Sequence, residues 1–254
     1  MAASAISFAD VTKDFPLTTG EVTIRALDCF SLSVSAGEVV ALLGPNGSGK
    51  STAIKLALGL IPPTRGAVLV EGAEADSVAA RQQVGYVPDV GGIPLHVSGR
   101  EALAWWAKIN DWSATSVADR VAEVLAEVDL EGSADRPVAE YSRGMKKRLA
   151  LAQAILPKPR RLLLDEPFAG LDPLAIDQQV AMLQRLAEEG CTILLSSHLL
   201  SRVEALADRV VLLHRGRSIA VGPPEELIGT SAKRQRRLDD VFRERVEQAE
   251  EATR

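Results

Sequence analysis

Hydrophobic and polar residues alternate in the N-terminal part of the chain. Ile6 and Phe8 flank a serine, and Phe30, Leu32 and Val34 are separated and followed by serines. A period of two is typical of antiparallel strands with one buried face. We therefore predict an antiparallel β subdomain at the N-terminus.

The pattern changes at Val39, where an uninterrupted apolar run reaches Leu43 and ends in a glycine-rich loop. Such runs are typical of strands buried on both faces of a parallel sheet. The loop leads into a predicted helix over Lys50–Leu58. Further buried strands are predicted at 67–70, 84–87, 162–164, 192–195 and 210–213, with helical spacing at Ile176, Val180 and Leu183 and at Leu199, Val203 and Leu206. Alternating strands and helices predict an α/β core with a mainly parallel sheet.

Two segments depart from this alternation. The stretch 91–156 contains no good strand, and Val117, Val121 and Leu125 recur there at helical spacing, which predicts a helical subdomain inserted into the core. The last residues, 223–254, are rich in charges of both signs. Leu238, Val241, Phe242 and Val246 there predict an amphipathic helical tail.

Composition narrows the class of protein without indicating an activity. The chain has 254 residues and a formal charge of -5, values that are ordinary for a globular protein. The acidic balance argues against a nucleic-acid partner. No apolar stretch approaches the ~18 to 20 residues that cross a bilayer, and the start lacks a secretory signal. We expect a cytoplasmic protein whose Cys29 and Cys191 are buried, reduced thiols.

The glycine-rich loop carries the first chemical motif, a glycine followed by four residues and Gly-Lys-Ser. The loop and helix start read Gly44, Pro45, Asn46, Gly47, Ser48, Gly49, Lys50, Ser51 and Thr52. By chance this pattern occurs in roughly one chain of this length in a hundred. Between a strand and a helix it is typical of a polyphosphate site, whose backbone amides and helix N-terminus attract anions. Lys50 is predicted to reach the β and γ phosphates, and Ser51 to bind magnesium.

Two further positions suit the same chemistry. The apolar run 162–164 ends in Asp165 and Glu166, which predicts a magnesium ligand and a general base, respectively. Ser142 opens a helix and is followed by Gly144. A serine there is usually only a cap, but the free amides of a helix start also bind anions.

The order of these motifs resembles the ATP-binding subunit of an ABC transporter. It runs from the phosphate loop through Ser142-Arg143-Gly144, Asp165-Glu166-Pro167 and Ala169-Gly170-Leu171-Asp172 to Ser196-Ser197-His198. The resemblance implies a P-loop NTPase core over residues 1–222. It also implies two subunits facing head to tail, with ATP and Mg²⁺ between the phosphate loop of one and Ser142 and Gly144 of the other. Asp172 would then cross the interface, His198 would hold the γ-phosphate and the attacking water, and Phe15 would stack on adenine.

The sequence departs from the family pattern at Asp89. The family usually has a glutamine there that touches magnesium and the attacking water. An ionised carboxylate accepts but cannot donate hydrogen bonds, so we expect Asp89 to act through a water. Beyond it lie Trp105, Trp106 and Trp112. We expect at least one of them to pack in the core, and we predict that Trp105 or Trp106 docks a membrane subunit.

The resemblance implies an ATPase that powers an exporter, with the signature Tyr-Ser-Arg-Gly-Met, the acid at 89 and Leu238-Asp239-Asp240-Val241-Phe242 resembling the exporter branch. Its partners would be an integral membrane permease and a second ATP-binding subunit, most simply another copy of this chain. It would lie in the cytoplasm and reach the inner face of the membrane only through the permease. The alternatives are an ABC-type ATPase in translation or DNA maintenance, and a metabolic phosphotransferase or GTPase.

Overall fold

Two β-sheets and the helices packed on them make up the fold, which a computed structural model describes for residues 4–16, 23–89, 91–109, 114–229 and 237–251. The strands are β1 (Ser4–Pro16), β2 (Thr23–Ser35), β3 (Val39–Leu43), β4 (Arg65–Val70), β5 (Ala73–Glu74), β6 (Val84–Val87), β7 (Arg161–Asp165), β8 (Thr192–Ser197), β9 (Arg209–His214) and β10 (Arg217–Gly222). The α-helices are α1 (Lys50–Ala57), α2 (Val78–Arg81), α3 (Gly99–Ile109), α4 (Ala114–Glu127), α5 (Arg143–Ile155), α6 (Pro173–Glu188), α7 (Leu200–Val203), α8 (Pro224–Ile228) and α9 (Leu238–Glu251).

The smaller sheet is antiparallel, with the strand order β2-β1-β4-β5. The pairing of β1 with β2 confirms the prediction from the N-terminal alternation. The apolar run 67–70, predicted to belong with the buried strands of the core, lies instead in β4 and pairs antiparallel with β1. An apolar run reports burial but does not specify which strand lies beside it, and here that neighbour is β1.

The larger sheet has the order β10-β9-β3-β8-β7-β6. Strands β9, β3, β8, β7 and β6 are parallel, which confirms the predicted core, and β10 adds an antiparallel edge. Because parallel strands end at the same edge of a sheet, the residues that follow β3, β6, β7 and β8 converge there. All the motifs that follow these strands are therefore brought to one edge.

Side chains of the central strands alternate between two hydrophobic cores. In β3, Ala41 and Leu43 pack on the side that carries α5 and α6, whereas Val40 and Leu42 pack on the side that carries α1 and the smaller sheet. Every residue of β3 is buried. This double burial explains the uninterrupted apolar run and holds the loop that follows β3 on a rigid strand.

Between β6 and β7 the described residues form helices α3, α4 and α5 and two 3₁₀ turns, Glu131–Ser133 and Val138–Glu140, with no strand among them. This confirms the predicted inserted helical layer. The tail helix α9 docks through buried Leu238 and Val241, and Glu204 accepts a hydrogen bond from the Leu238 amide at 3.0 Å. None of the described helices combines the length and the apolar character needed to cross a membrane.

One local prediction needs correction, and several short elements were not predicted. The helix predicted from Leu199 to Leu206 covers only α7, Leu200–Val203. Strands β5 and β10 and the short helices α2 and α8 were not predicted; β5 has only two residues, and β10 has no buried residue. Trp105 and Trp106 are both exposed, and Trp112 lies outside the described residues, so a tryptophan in the core stays a prediction.

Cys29 is exposed, contrary to the prediction of a buried thiol, whereas Cys191 is buried as predicted. In β2 the buried positions are Phe30, Leu32 and Val34 but also Leu27, so the alternation changes parity between 27 and 30. Cys29 itself has a φ of 49°, the left-handed conformation of a β-bulge residue. Cys29 has the same parity as the exposed Ser31, Ser33 and Ser35, so its exposure follows from the alternation of Phe30, Leu32 and Val34, and it is Leu27 that the bulge puts out of step.

We expect one thiol per chain to react rapidly with a disulfide reagent such as DTNB at pH 8, and a second only after denaturation. Cys29 is accessible, whereas burial raises the pKa of Cys191 to about 12, which leaves almost no nucleophilic thiolate at pH 8. The absorbance of the released chromophore gives the number of thiols that have reacted. Cys29→Ser should abolish the fast phase. Two fast thiols in the native chain would contradict the burial of Cys191.

Candidate functional site

The loop after β3 is shaped by glycines. Gly49 has a φ of 109° and caps α1, and a Cβ there would lie 2.5 Å from the Ala26 carbonyl oxygen. A Cβ on Gly44 would lie 2.2 Å from the Leu213 carbonyl oxygen. Neither position admits a side chain, so the loop packs closely against the backbone at Ala26 and Leu213. Inside it, the Ser48 hydroxyl is buried without a hydrogen-bond partner among the described residues.

Lys50, the first residue of α1, is folded onto this loop. Its Nζ donates to the carbonyl oxygens of Gly44 at 2.8 Å and Pro45 at 3.1 Å, and it lies 3.7 Å from Oε1 of Glu166. Burial lowers the pKa of Lys50, while the carboxylates of Glu166 and Asp165 oppose that shift. The site thus holds a partly desolvated cation beside the loop, which suits an incoming polyphosphate.

Asp165, at the end of β7, accepts two hydroxyl hydrogen bonds on the same oxygen. Ser51 Oγ donates to Oδ1 at 2.9 Å and Ser196 Oγ donates to it at 2.6 Å. Asp165 is buried. A hydroxyl and a carboxylate in contact form a hard-oxygen pair of the kind that Mg²⁺ prefers, since this ion keeps several waters and takes few protein ligands.

Glu166 lies next to Asp165 and contacts His198. Oε2 of Glu166 lies 2.8 Å from Nδ1 of His198, which follows β8. Because an ionised carboxylate only accepts hydrogen bonds, Nδ1 carries the proton in this contact. The Glu166 side chain is mostly buried and the His198 side chain is half exposed. The pair forms a carboxylate and an oriented imidazole at the same edge as Lys50.

Asp89 follows β6, and its contacts were not foreseen. Its Oδ1 lies 3.8 Å from Nζ of Lys147, a buried lysine of α5, and its side chain is about half exposed. The charge that Asp89 brings to the site is therefore matched by a cation of the protein itself. No sequence signal distinguishes Lys147, because it lies between Lys146 and Arg148 in a charged run that is typical of a solvated helix face.

Ser142, Gly144 and Asp172 lie at other helix starts. Ser142 caps α5 by accepting from the Met145 amide at 3.2 Å, and Asp172 caps α6 by accepting from the Ala175 amide at 3.0 Å. Neither side chain has a hydrogen bond to the loop after β3 among the described residues. Gly144 is half-buried beside Leu171 and Gly170.

Phe15 lies near the end of β1, partly exposed, with Nζ of Lys13 at 5.0 Å from its ring centroid. It is not part of the cluster at the strand ends. The other loop residues vary in burial: Pro45, Asn46 and Gly47 are exposed and Thr52 is half-buried.

Taken together, a glycine loop between a buried strand and a helix, with a lysine and a serine facing two carboxylates, defines a P-loop nucleoside triphosphatase. Comparison with known proteins is more specific. A protein-family model described as ABC transporter matches residues 27–169. The Nod factor export ATP-binding protein I of Burkholderia orbicola is 39% identical over 230 residues, which cover 90% of this chain and 74% of that protein. The protein of the same name in Rhizobium meliloti strain 1021 is 38% identical over 226 residues, or 88% of this chain and 66% of that protein.

Solved structures agree. A structure described as an ATP-binding subunit of an ABC transporter is 32% identical, with a TM-score of 0.82, covering 96% of this chain and 100% of that one. A dimeric ATP-binding cassette in a post-hydrolysis state with ADP and phosphate is 25% identical, with a TM-score of 0.79, covering 86% of this chain and 98% of that one. The chain belongs to the ABC transporter family, and it is an ATP-binding, ATP-hydrolysing subunit.

Proposed function

We propose that the chain powers a membrane transporter that exports its cargo, through closure of two ATP-binding subunits. The observation that carries this proposal is the meeting of Lys50, Ser51, Asp165, Glu166 and His198 at one sheet edge of an ABC ATPase. Export is favoured because the curated relatives described above are Nod factor export proteins. The signature Tyr-Ser-Arg-Gly-Met and the acid at position 89 also resemble the exporter branch of the family.

In this proposal the loop 44–49, with Lys50 and Thr52, binds the phosphates of ATP. Ser51 and Asp165 hold Mg²⁺, and Asp89 contributes through a water. The ion, when bound, neutralises charge on the phosphates. Glu166 orients the attacking water and takes its proton, and His198, held by Glu166, donates to the γ-phosphate from its other nitrogen when that nitrogen is protonated. Phe15 stacks on the adenine.

The second subunit completes the site. Ser142, Gly144 and Asp172 lie at helix starts, and the Ser142 and Asp172 side chains have no hydrogen bond to the phosphate loop among the described residues, which supports a role on a partner's nucleotide. Similarity to a dimeric cassette supports the same arrangement. We propose that the partner is a second copy of this chain, packed head to tail.

We further propose the division of the chain and its place in the cell. Residues 1–222 form the ABC ATPase domain, with the helical subdomain 91–156 inserted, and 223–254 form a C-terminal tail. The subunit lies in the cytoplasm, at the inner face of the membrane, and reaches it only through an integral membrane permease. No nucleic-acid partner is proposed.

Co-purification from membranes tests the transport role. The tagged chain, extracted in mild detergent from its own cells, should bring down a polytopic membrane protein, identified by mass spectrometry. Recovery of ribosomes or DNA-bound proteins without a membrane partner would favour the alternative, a role in translation or DNA maintenance. A basal ATPase assay run in parallel separates a missing partner from an inactive protein.

Trp105 and Trp106 are the best candidates for anchoring that permease. Both are exposed, and Trp106 lines a groove with Pro88, Gly91 and Ile93, next to the loop that carries Asp89. Large aromatic side chains at the centre of an interface often contribute about 2 kcal/mol or more to binding. Trp105→Ala or Trp106→Ala should lower permease recovery about tenfold or more while basal ATPase stays unchanged. Exposed Ile24→Ala is the matched control. Unchanged recovery for both tryptophan variants would refute this docking role.

A further inference from the structure

Lys147 is a buried cation that the proposed chemistry does not use. It lies in α5, and only 6% of its side chain is exposed. Its Nζ donates to three carbonyl oxygens, those of Pro88 at 3.0 Å, Asp89 at 3.1 Å and Asp165 at 3.2 Å. An ammonium group has three donors, so all of them are used. One side chain thereby connects α5, the loop after β6 and the end of β7.

The third of these bonds is to the carbonyl oxygen of the peptide group that joins Asp165 to Glu166. The carbonyl oxygen of Asp165 and the amide of Glu166 belong to one planar unit. Lys147 holds the oxygen of this unit, and Ser196 Oγ accepts a hydrogen bond from its N–H at 2.9 Å. The peptide is therefore fixed at both ends, by α5 on one side and by β8 on the other.

Glu166 needs such support because of its backbone conformation. Its φ is 49°, in the left-handed region that costs a residue with a side chain about 1 to 2 kcal/mol. Such a conformation persists where the surroundings determine it. With the peptide fixed, the Glu166 side chain leaves the strand end toward Lys50 and His198, which lie 3.7 Å and 2.8 Å from its two carboxylate oxygens.

We propose that Lys147 is a positioning residue for hydrolysis. It holds the 165–166 peptide so that the Glu166 carboxylate faces the attacking water, and it ties this peptide to the loop Pro88–Asp89. The inference rests on the proposed role of Glu166 as the general base. Lys147 touches neither nucleotide nor water in this role. It acts through the peptide, and its charge also balances Asp89.

The test is a double-mutant cycle between Lys147 and Glu166 in the full chain. Lys147→Met keeps the length of the side chain and removes the donors. We expect kcat to fall about 10²-fold, since a displacement of about 1 Å costs that much, while the Kd for ATP changes less than about threefold. In a Glu166→Gln background, where the base is already absent, the same change should cost less than about threefold in single-turnover hydrolysis.

Matched variants separate positioning from folding. Lys146→Met changes the neighbouring lysine of α5, which makes none of these three bonds, and should leave kcat unchanged. Lys147→Gln retains amide donors and should recover part of the rate. If circular dichroism shows that Lys147→Met does not fold, Lys147→Gln replaces it in the double-mutant cycle with Glu166→Gln. Equal losses in both backgrounds, or no loss in either, would overturn the positioning role. Full turnover by Glu166→Gln alone would instead refute the role of Glu166 as the general base. A parent chain without ATPase activity would refute the proposed function itself.

Discussion

Glu166→Gln should bind ATP and hydrolyse it about 10²- to 10⁴-fold more slowly than the parent chain, the range expected for loss of a general base. Glutamine has nearly the same shape as glutamate, so the loop 44–49 and Lys50 remain in place to bind phosphates. An amide cannot take a proton from water. The substitution also removes the negative charge that lies 3.7 Å from Nζ of Lys50, which favours binding of an anionic nucleotide.

The same variant should accumulate as a closed dimer when ATP and Mg²⁺ are present. If ATP joins two subunits and hydrolysis separates them, a chain that binds without hydrolysing stays closed. Light scattering after gel filtration should show the mass doubling only with ATP. Radiolabelled ATP in single turnover measures the rate. Glu188→Gln, an exposed change at the end of α6, is the control and should behave as the parent. Normal turnover by Glu166→Gln would remove Glu166 from the mechanism.

Much of the site could be predicted because it is built from short segments that begin where buried strands end. The phosphate loop follows β3, and His198 follows β8. Asp165 is the last residue of β7, and Glu166 comes directly after it. Each of these strands contains an apolar run of at least three residues. Strands that are parallel must end at one edge, so recognition of the runs is enough to place the motifs together. The contacts of Ser51 with Asp165 and of Glu166 with His198 follow from that convergence.

What sequence could not supply depends on contacts between distant segments. In the sequence, Lys147 cannot be distinguished from its charged neighbours. Only the packing of α5 against the ends of β6 and β7 shows that it is buried. The left-handed conformation of Glu166 is likewise supported by Ser196, 30 residues further along the chain. Neither relation is encoded in local spacing, because both depend on which strands are neighbours.

Bulges limited the prediction in the smaller sheet. Ile6 and Phe8 of β1 are buried at even positions, but Val11 is buried at an odd one, and Asp10 between them has a φ of 47°. A similar change of parity in β2 buries Leu27 at an odd position, whereas Phe30, Leu32 and Val34 are buried at even ones. One extra residue in a strand inverts every inside and outside assignment beyond it, and neither asparagine nor glycine marks these two bulges in the sequence.

Lys50→Met should remove most ATP-dependent behaviour while leaving the fold intact. In the proposed function Lys50 donates charge-assisted hydrogen bonds to the phosphates, which methionine cannot replace. Such bonds are worth about 1.5 to 3 kcal/mol, so we expect ATP to bind about 10- to 100-fold more weakly. Loss of a charge that stabilises the transferring phosphoryl group should lower kcat by a further 10²- to 10³-fold or so. Methionine fills nearly the same volume, and the buried ammonium has a desolvation cost that is removed with it.

Thermal unfolding measures both halves of this expectation. Without nucleotide, the variant and the parent chain should unfold at similar temperatures. With ATP at a hundred times the parent's Kd, the parent should gain about 2.7 kcal/mol, whereas a variant with 100-fold weaker binding should gain only about 0.4 kcal/mol. Lys55→Met, an exposed lysine on the same helix, controls for the loss of charge and should retain the full gain. A Lys50→Met protein that keeps both the ATP-dependent gain and the turnover would show that the loop does not bind the phosphates through this lysine.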